Sequence, residues 1–308
     1  MTKLFATNTQ GIPVNLINTA DYSTWLATQP ENYQAWLNSS DYQGEGLSLI
    51  PAANGSVQAV VFGAKDITQA MVCGDLPLLL PAGVYQLTGD EALQRRVAIA
   101  WGMGAYQFDR YKKYEKTLPT LALPTAALTA EVEAYLDAMT TVRDLINTPA
   151  SDMMPEHLGE AVEAMAKPFN AQVAQWVGDE LLTNNYPTVH AVGRASHHAP
   201  RLIDLRWGDA SHPKITLVGK GVCFDSGGLD VKGAASMRLM KKDMGGAAQV
   251  IGLAQLIMAQ QLPVRLRVLI PTVENAIAGD AYRPGDIIKT RKGLTVEIEN
   301  TDAEGRLI

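Results

Sequence analysis

Cysteine is scarce in this chain. Only Cys73 and Cys223 occur among 308 residues, too few for a disulfide framework, so a reducing compartment is the simpler expectation. Long apolar runs are missing as well. The run 76–82 is representative of the longest, and it falls far short of a bilayer's thickness. The opening Met1-Thr-Lys-Leu-Phe-Ala-Thr-Asn has no apolar stretch of signal-peptide length. Basic residues are not in excess either: the formal net charge is -6, which argues against a broad electrostatic footprint for nucleic acid. Together these absences lead to the expectation of a soluble, cytoplasmic protein.

The composition that remains is that of an ordinary folded chain. Hydrophobic residues make up 47% and charged residues 19%, enough for buried cores and too little charge for disorder. The length suggests about two domains. Residues 1–125 read as a small N-terminal α/β unit for scaffolding or assembly. It has a valine-rich strand at 57–63, a proline-punctuated apolar segment at 76–81 and a helical period over 90–111 with Asp90 as its cap. No ligands or nucleophiles cluster there. Residues 116–127 carry two prolines among threonines and read as a linker.

Residues 126–308 read as a second α/β domain. A helix is expected at 130–146, with Glu131 and Glu133 early, where negative charge suits the dipole. Pro149 ends that helix, and another follows at 155–166. Strands are expected at 172–177, 188–192, 201–206, 214–218, 264–271 and 294–299, with a helix at 245–260. This alternation predicts a mixed, largely parallel central sheet covered by helices. There is no internal repeat and no low-complexity tract.

Three segments concentrate unusual residues. In Val218-Gly-Lys-Gly-Val-Cys-Phe-Asp-Ser-Gly-Gly-Leu-Asp-Val-Lys232, Lys220 and Asp225 stand in glycine-rich surroundings after a strand. Ligands of open α/β sheets gather at such strand ends, and glycine lets the backbone approach an ion or substrate. The spacing is not that of a phosphate-binding loop. In Met240-Lys-Lys-Asp-Met-Gly-Gly-Ala-Ala, Asp243 precedes a helical run, where its ordinary role is an N-cap. In Leu294-Thr-Val-Glu-Ile-Glu-Asn-Thr-Asp-Ala-Glu-Gly-Arg306, Leu294, Val296 and Ile298 share one strand parity. Asn300, Asp302, Glu304 and Arg306 continue it. An apolar face running into two carboxylates needs compensation, either a metal or an arginine-clamped polar network.

Taken together, Asp225, Asp243, Asp302 and Glu304 carry about four negative charges, which two divalent cations would balance. Carboxylate oxygens suit Mg²⁺, Mn²⁺ or Zn²⁺. Paired ions about 3.5–4 Å apart polarise a carbonyl and activate a bridging water. Lys220 could serve as a neutral amine ligand beside a dication. Lys232 and Arg306 would then be free positive groups for a developing oxyanion.

The three segments resemble the leucyl (cytosol) aminopeptidase family. Asn300-Thr-Asp-Ala-Glu-Gly-Arg-Leu is that family's signature octapeptide without a departure. Arg143-Asp-Leu-Ile-Asn-Thr-Pro-Ala150 and Tyr282-Arg-Pro-Gly-Asp286 look like family segments too. The resemblance runs from about residue 140 to the end and implies a metallopeptidase catalytic domain. It implies that Asp225, Asp302 and Glu304 hold one metal, and that Lys220, Asp225, Asp243 and Glu304 hold the other. It also implies that Lys232 stabilises the tetrahedral intermediate and that Arg306 holds a bicarbonate acting as general base. Met240 is similar to a residue lining the pocket for the N-terminal side chain. The implied reaction is release of an N-terminal amino acid from a peptide, by a homohexamer with two Zn²⁺, Mn²⁺ or similar ions per subunit. Family members continue well past the octapeptide, whereas this sequence stops at Ile308, so its catalytic domain is expected to be incomplete.

Other residues draw plainer expectations. His197 and His198 lie in a polar loop and read as a solvated pair. Cys223 lacks a base partner and reads as a packed side chain. Ser226 lacks a nucleophile-elbow context, and Lys241-Lys242 reads as a solvated face. Two other functions compete with the peptidase: a non-catalytic binding or regulatory protein on the same fold, and a Mg²⁺-dependent phosphoryl-transfer enzyme.

Overall fold

The computed structural model describes residues 4–308. The chain divides into two compact units, one up to Leu136 and one from Asp137 to Ile308.

The first unit is built on a six-stranded sheet. Its strands are β1 (Phe5–Thr7), β2 (Ile12–Asn18), β3 (Gly46–Pro51), β4 (Val57–Ala64), β5 (Val84–Leu87) and β6 (Thr120–Leu123), in the order β1-β6-β5-β2-β4-β3. All neighbours are parallel except β3 and β4. Its helices are α1 (Tyr22–Ala27), α2 (Glu31–Ser39), α3 (Leu76–Leu79), α4 (Glu91–Ala105) and the first half of α5 (Ala126–Asn147). Asp90 caps α4 as expected, accepting from the Leu93 amide at 2.8 Å. The helix stops at Ala105, short of the periodic pattern, because Gly102 and Gly104 weaken its last turns. The expected linker contains β6, which fills the gap between β1 and β5 and buries Leu121 completely. Its prolines bound a strand whose partners lie far away in sequence.

In the second unit, α6 (Pro155–Ala166) precedes β7 (Gln172–Val177), α7 (Glu180–Thr183), α8 (Pro187–Gly193), β8 (Arg201–Trp207), β9 (Lys214–Val218) and β10 (Gly221–Asp225). Then come α9 (Ala234–Met237), α10 (Gly245–Ala259), β11 (Arg265–Asn275), β12 (Ile287–Lys289) and β13 (Thr295–Glu297). The mixed sheet runs β10-β11-β8-β7, with β9 beside the first half of β11 and β10 beside the second. Side chains alternate across it. Ile203 and Leu205 pack with Leu158, Val162, Ile251 and Ala254 from α6 and α10. Leu202, Val222 and Val273 pack with Leu181, Val189 and Val192 from α7 and α8.

Two strand expectations fail here. Residues 188–192 form helix α8, because Pro187 opens a helical turn and Val189 and Val192 bury on one side of it. The segment 294–299 keeps only three strand residues, in a two-stranded ribbon with β12 outside the main sheet. Leu294 and Val296 are exposed there and only Ile298 is buried. The parity argument for a buried face is therefore wrong. The carboxylates beyond it converge for a different reason.

Candidate metal centre

Strands β10 and β11 end side by side, with Asp225 opposite Asn275. Asp225 is buried. Its Oδ1 accepts from the Gly227 amide at 2.9 Å and from Asn275 Nδ2 at 2.9 Å. Its Oδ2 faces Lys232 Nζ at 3.1 Å. Loop 226–232 doubles back through Gly227 and Gly228, both at positive φ. A Cβ at Gly228 would stand 2.9 Å from Asn275 Oδ1, so glycine meets a steric as well as a conformational demand.

Asp302 and Glu304 come from a tight 3₁₀ turn, Thr301–Arg306, not from a strand. The Asn300 side chain starts the turn by accepting from the Asp302 amide at 2.7 Å. Glu304 points inward and is 1% exposed, whereas Asp302 lies at the surface. Oxygens of Asp225, Asp302 and Glu304 lie within 4.8 Å of one another.

Two lysines thread this cluster. Lys220, between β9 and β10, places Nζ 2.8 Å from Glu304 Oε1 and 2.7 Å from Asp243 Oδ2. Asp243 lies in the turn Met240–Met244, with half-buried Met240 at its start. It makes no capping bond to α10, whose N-cap position falls on Met244, so the ordinary role expected for it does not apply. Lys232 ion-pairs with both Asp225 and Asp302. Arg306 is exposed at the end of the turn.

Negative charge outweighs positive charge at this site. Burial pushes the Glu304 carboxyl above its usual range, and the Asp225 charge adds to this against the pull of Lys220. Burial opposes the charge of Lys220, but Asp243 and Glu304 outweigh it and raise the ammonium pKa. Lys232 is raised in the same way by Asp302 and Asp225, again against burial. Four carboxylates against two ammonium groups leave a surplus of about two negative charges.

The donors fit divalent metal. Glu304 Oε2 is buried without a hydrogen-bond partner among the described residues, a costly state for a carboxylate oxygen. Asp243 Oδ2 is buried too, and its approach to Lys220 is close but poorly aligned for a hydrogen bond. Converging carboxylate oxygens are the ligands that hard dications take.

Asn275, Thr301, Asp230 and Tyr282 surround this cluster and had no assigned role in the sequence reading. Asn275 carries no local signal, because it ends a long strand and meets Asp225 only through the sheet register. The remaining expected residues lie elsewhere. His198 Nδ1 contacts the Glu156 carboxylate. His197 lines a cavity of about 380 Å³ with Arg194, Ser196, Glu274 and Asp280. Neither histidine joins the three-carboxylate cluster. Burial pushes the Cys223 thiol up to about 12, so it is a packed, protonated side chain. Ser226 spends its hydroxyl on the Asn275 carbonyl at 2.6 Å. Lys241 donates to the Asn147 carbonyl at 2.5 Å, so it is not simply part of a solvated face.

A model of the catalytic domain of the cytosol aminopeptidase family matches residues 140–308. The chain belongs to the cytosol aminopeptidase family. The N-terminal domain model of the same family matches residues 12–124. Peptidase B of Cronobacter sakazakii is 44% identical over 185 residues, covering 58% of this chain and 43% of that protein. The chain spans about half the length of the curated relatives it matches. The crystal structure of cytosol aminopeptidase from Coxiella burnetii superposes with a TM-score of 0.95 at 46% identity, over 99% of this chain and 68% of that one. The bottromycin maturation enzyme BotP, solved in complex with Mn, superposes with a TM-score of 0.81 at 29% identity, over 96% of this chain and 66% of that one. Family membership agrees with the α/β architecture and with a peptidase-type site. No described helix is long and apolar enough to cross a membrane.

Proposed function

We propose that this protein is a metal-dependent aminopeptidase that hydrolyses the N-terminal peptide bond of peptides with a free N-terminus. One observation carries the reading: Asp225, Asp302 and Glu304 converge, and buried Glu304 Oε2 has no hydrogen-bond partner among the described residues. Membership in the aminopeptidase family supports it.

In this reading Asp225, Asp302 and Glu304 hold one divalent ion, and Lys220, Asp225, Asp243 and Glu304 hold the other. Carboxylate-rich ligation suits Zn²⁺, Mn²⁺ or Mg²⁺, and the Mn complex of a relative supports Mn²⁺. When bound, the pair supplies Lewis acidity to the scissile carbonyl and an activated water.

The chain's own residues do the positioning. Lys220 must give up a proton to act as a ligand, and Asp243 and Glu304 hold its nitrogen in place. Lys232, which ion-pairs with Asp225 and Asp302, would offer its ammonium group to a developing oxyanion if metal took over those carboxylates. Arg306, exposed at the end of the turn, offers its planar guanidinium to a bicarbonate that serves as general base. Met240 forms one wall of the pocket for the N-terminal side chain. We further propose a cytoplasmic homohexamer.

Elemental analysis after dialysis, paired with hydrolysis of an L-leucyl amide, tests the reading. It expects about two divalent ions per chain and leucine release that a chelator abolishes. A chain that retains no divalent ion overturns it.

A further inference from the structure

Thr301 is the most heavily bonded residue around the carboxylates. It is fully buried. Its amide donates to Asp230 Oδ2 at 2.7 Å, and its hydroxyl accepts from the Asp230 amide at 2.8 Å. That hydroxyl donates to the Gly227 carbonyl at 2.6 Å. Its own carbonyl accepts from Tyr282 Oη at 2.6 Å and from Asn275 Nδ2 at 3.0 Å. Every polar group of Thr301 is therefore engaged, and its partners come from three separate stretches of chain. An exposed 3₁₀ turn needs no such anchoring.

Asn275 completes the connection. Its single Nδ2 group spends one proton on Asp225 Oδ1 and the other on the Thr301 carbonyl. Its Oδ1 is buried with no hydrogen-bond partner among the described residues. Turning the amide over would set its oxygen against two acceptors, Asp225 Oδ1 and the Thr301 carbonyl. The orphaned oxygen is thus the cost of a two-pronged donor. The cost is accepted because the donor ties Asp225, at the end of β10, to the turn that carries Asp302 and Glu304. It also leaves Asp225 Oδ2 as the oxygen facing the cluster, since Oδ1 is held by two donors.

We infer that Asn275, Thr301, Asp230 and Tyr282 form a buried brace that sets the spacing between Asp225 and the Asp302–Glu304 pair, and so positions the ligands of a divalent metal. They are positioning residues, since none of them is among the converging carboxylates. The inference rests on the metal reading above. It adds that the geometry of the site is fixed from beneath by hydrogen bonds around Thr301. Tyr282 suits this task, because burial and the neighbouring carboxylates Glu304, Asp225, Asp230 and Asp302 raise its pKa and keep its hydroxyl a donor.

The test titrates the metal-free chain with Co²⁺ and follows both affinity and the visible ligand-field spectrum. Thr301→Val keeps the shape and loses the hydroxyl; Thr301→Ser keeps the hydroxyl. The brace predicts that Thr301→Val loses about tenfold or more in Co²⁺ affinity and has an altered spectrum. Thr301→Ser should stay near wild type on both counts. Tyr282→Phe, which removes one donor from the Thr301 carbonyl, should lose a smaller factor and carries the test if Thr301→Val does not fold. Folded variants with wild-type affinity and spectrum overturn the brace while leaving the metal reading intact. A wild-type chain that binds no Co²⁺ overturns the metal reading, and the brace with it.

Discussion

Lys220 Nζ lies 2.8 Å from Glu304 Oε1, and only the absence of a side chain at Gly305 allows the approach. A Cβ at 305 would stand 2.8 Å from Lys220 Cε and 3.0 Å from Nζ. These atoms are the far end of a flexible chain, so the lysine can yield without disturbing the backbone. Gly305→Ala should therefore cost about 1 kcal/mol or less in stability while displacing the amine from Glu304 and Asp243. The expected result is a near-normal urea midpoint with clearly weaker binding of Mn²⁺ or Zn²⁺ by calorimetry. Unchanged metal affinity would show that the place of the Lys220 amine is immaterial.

Asp243 makes no capping bond, so its removal should not unravel α10. Asp243→Ala should lower metal affinity by about tenfold or more and shift the melting temperature of the metal-free chain little. Differential scanning calorimetry with and without metal separates the two effects. A large loss of melting temperature with metal affinity retained would make the residue purely structural.

Asp204, buried on β8, anchors a separate charge cluster with Arg206 on its own strand and Arg267 on β11. Burial pushes its carboxyl pKa up, but hydrogen bonds and charge from Arg267 and Arg206 outweigh this and hold it below the usual value. The folded pKa is thus lower than the unfolded one, near 3.9. Its stabilisation is complete above that unfolded value and is lost as pH falls through the lower folded one. Asp204→Asn should cost about 2 kcal/mol at neutral pH and flatten the decline of stability in acid. Urea titrations between pH 7 and pH 3 check both; parallel curves for variant and wild type would contradict the assignment.

Both thiols are buried, and burial raises them, Cys73 to about 11 and Cys223 to about 12. Neither should react with a disulfide reagent at pH 8 in the native chain, since little thiolate forms and access is closed. Both should react at once in denaturant. Fast labelling of Cys223 in the native state would reopen the question of a nucleophilic cysteine beside Asp225.

Much of the second unit was legible in the sequence where local chemistry and tertiary pairing agree. β7, β9 and α6 fall on the expected residues, because short runs with β-branched and aromatic residues and a proline-led amphipathic period are strong local signals. Strand β6 was hidden inside a proline-bounded linker. Helix α8 was hidden in a run whose apolar residues suit either a strand or one side of a short helix. The stretch before Asn300 misled in the opposite direction: its alternation is real, but the ribbon stands outside the core and its alternating leucine and valine face solvent.

The sequence by itself marked out the side chains proposed as metal ligands. Asp225, Asp302 and Glu304 stand out as carboxylates in or beside glycine-containing segments, and the resemblance to the family's motifs adds Lys220 and Asp243. Tertiary structure alone decided how they meet. Asp302 and Glu304 converge on Asp225 through a 3₁₀ turn, not through strand parity. That turn is seated by Asn275 and Tyr282, 26 and 19 residues away from Thr301 in sequence. No local pattern encodes such a contact, because hydrogen bonds between distant segments exist only after the β10–β11 register has brought their ends together.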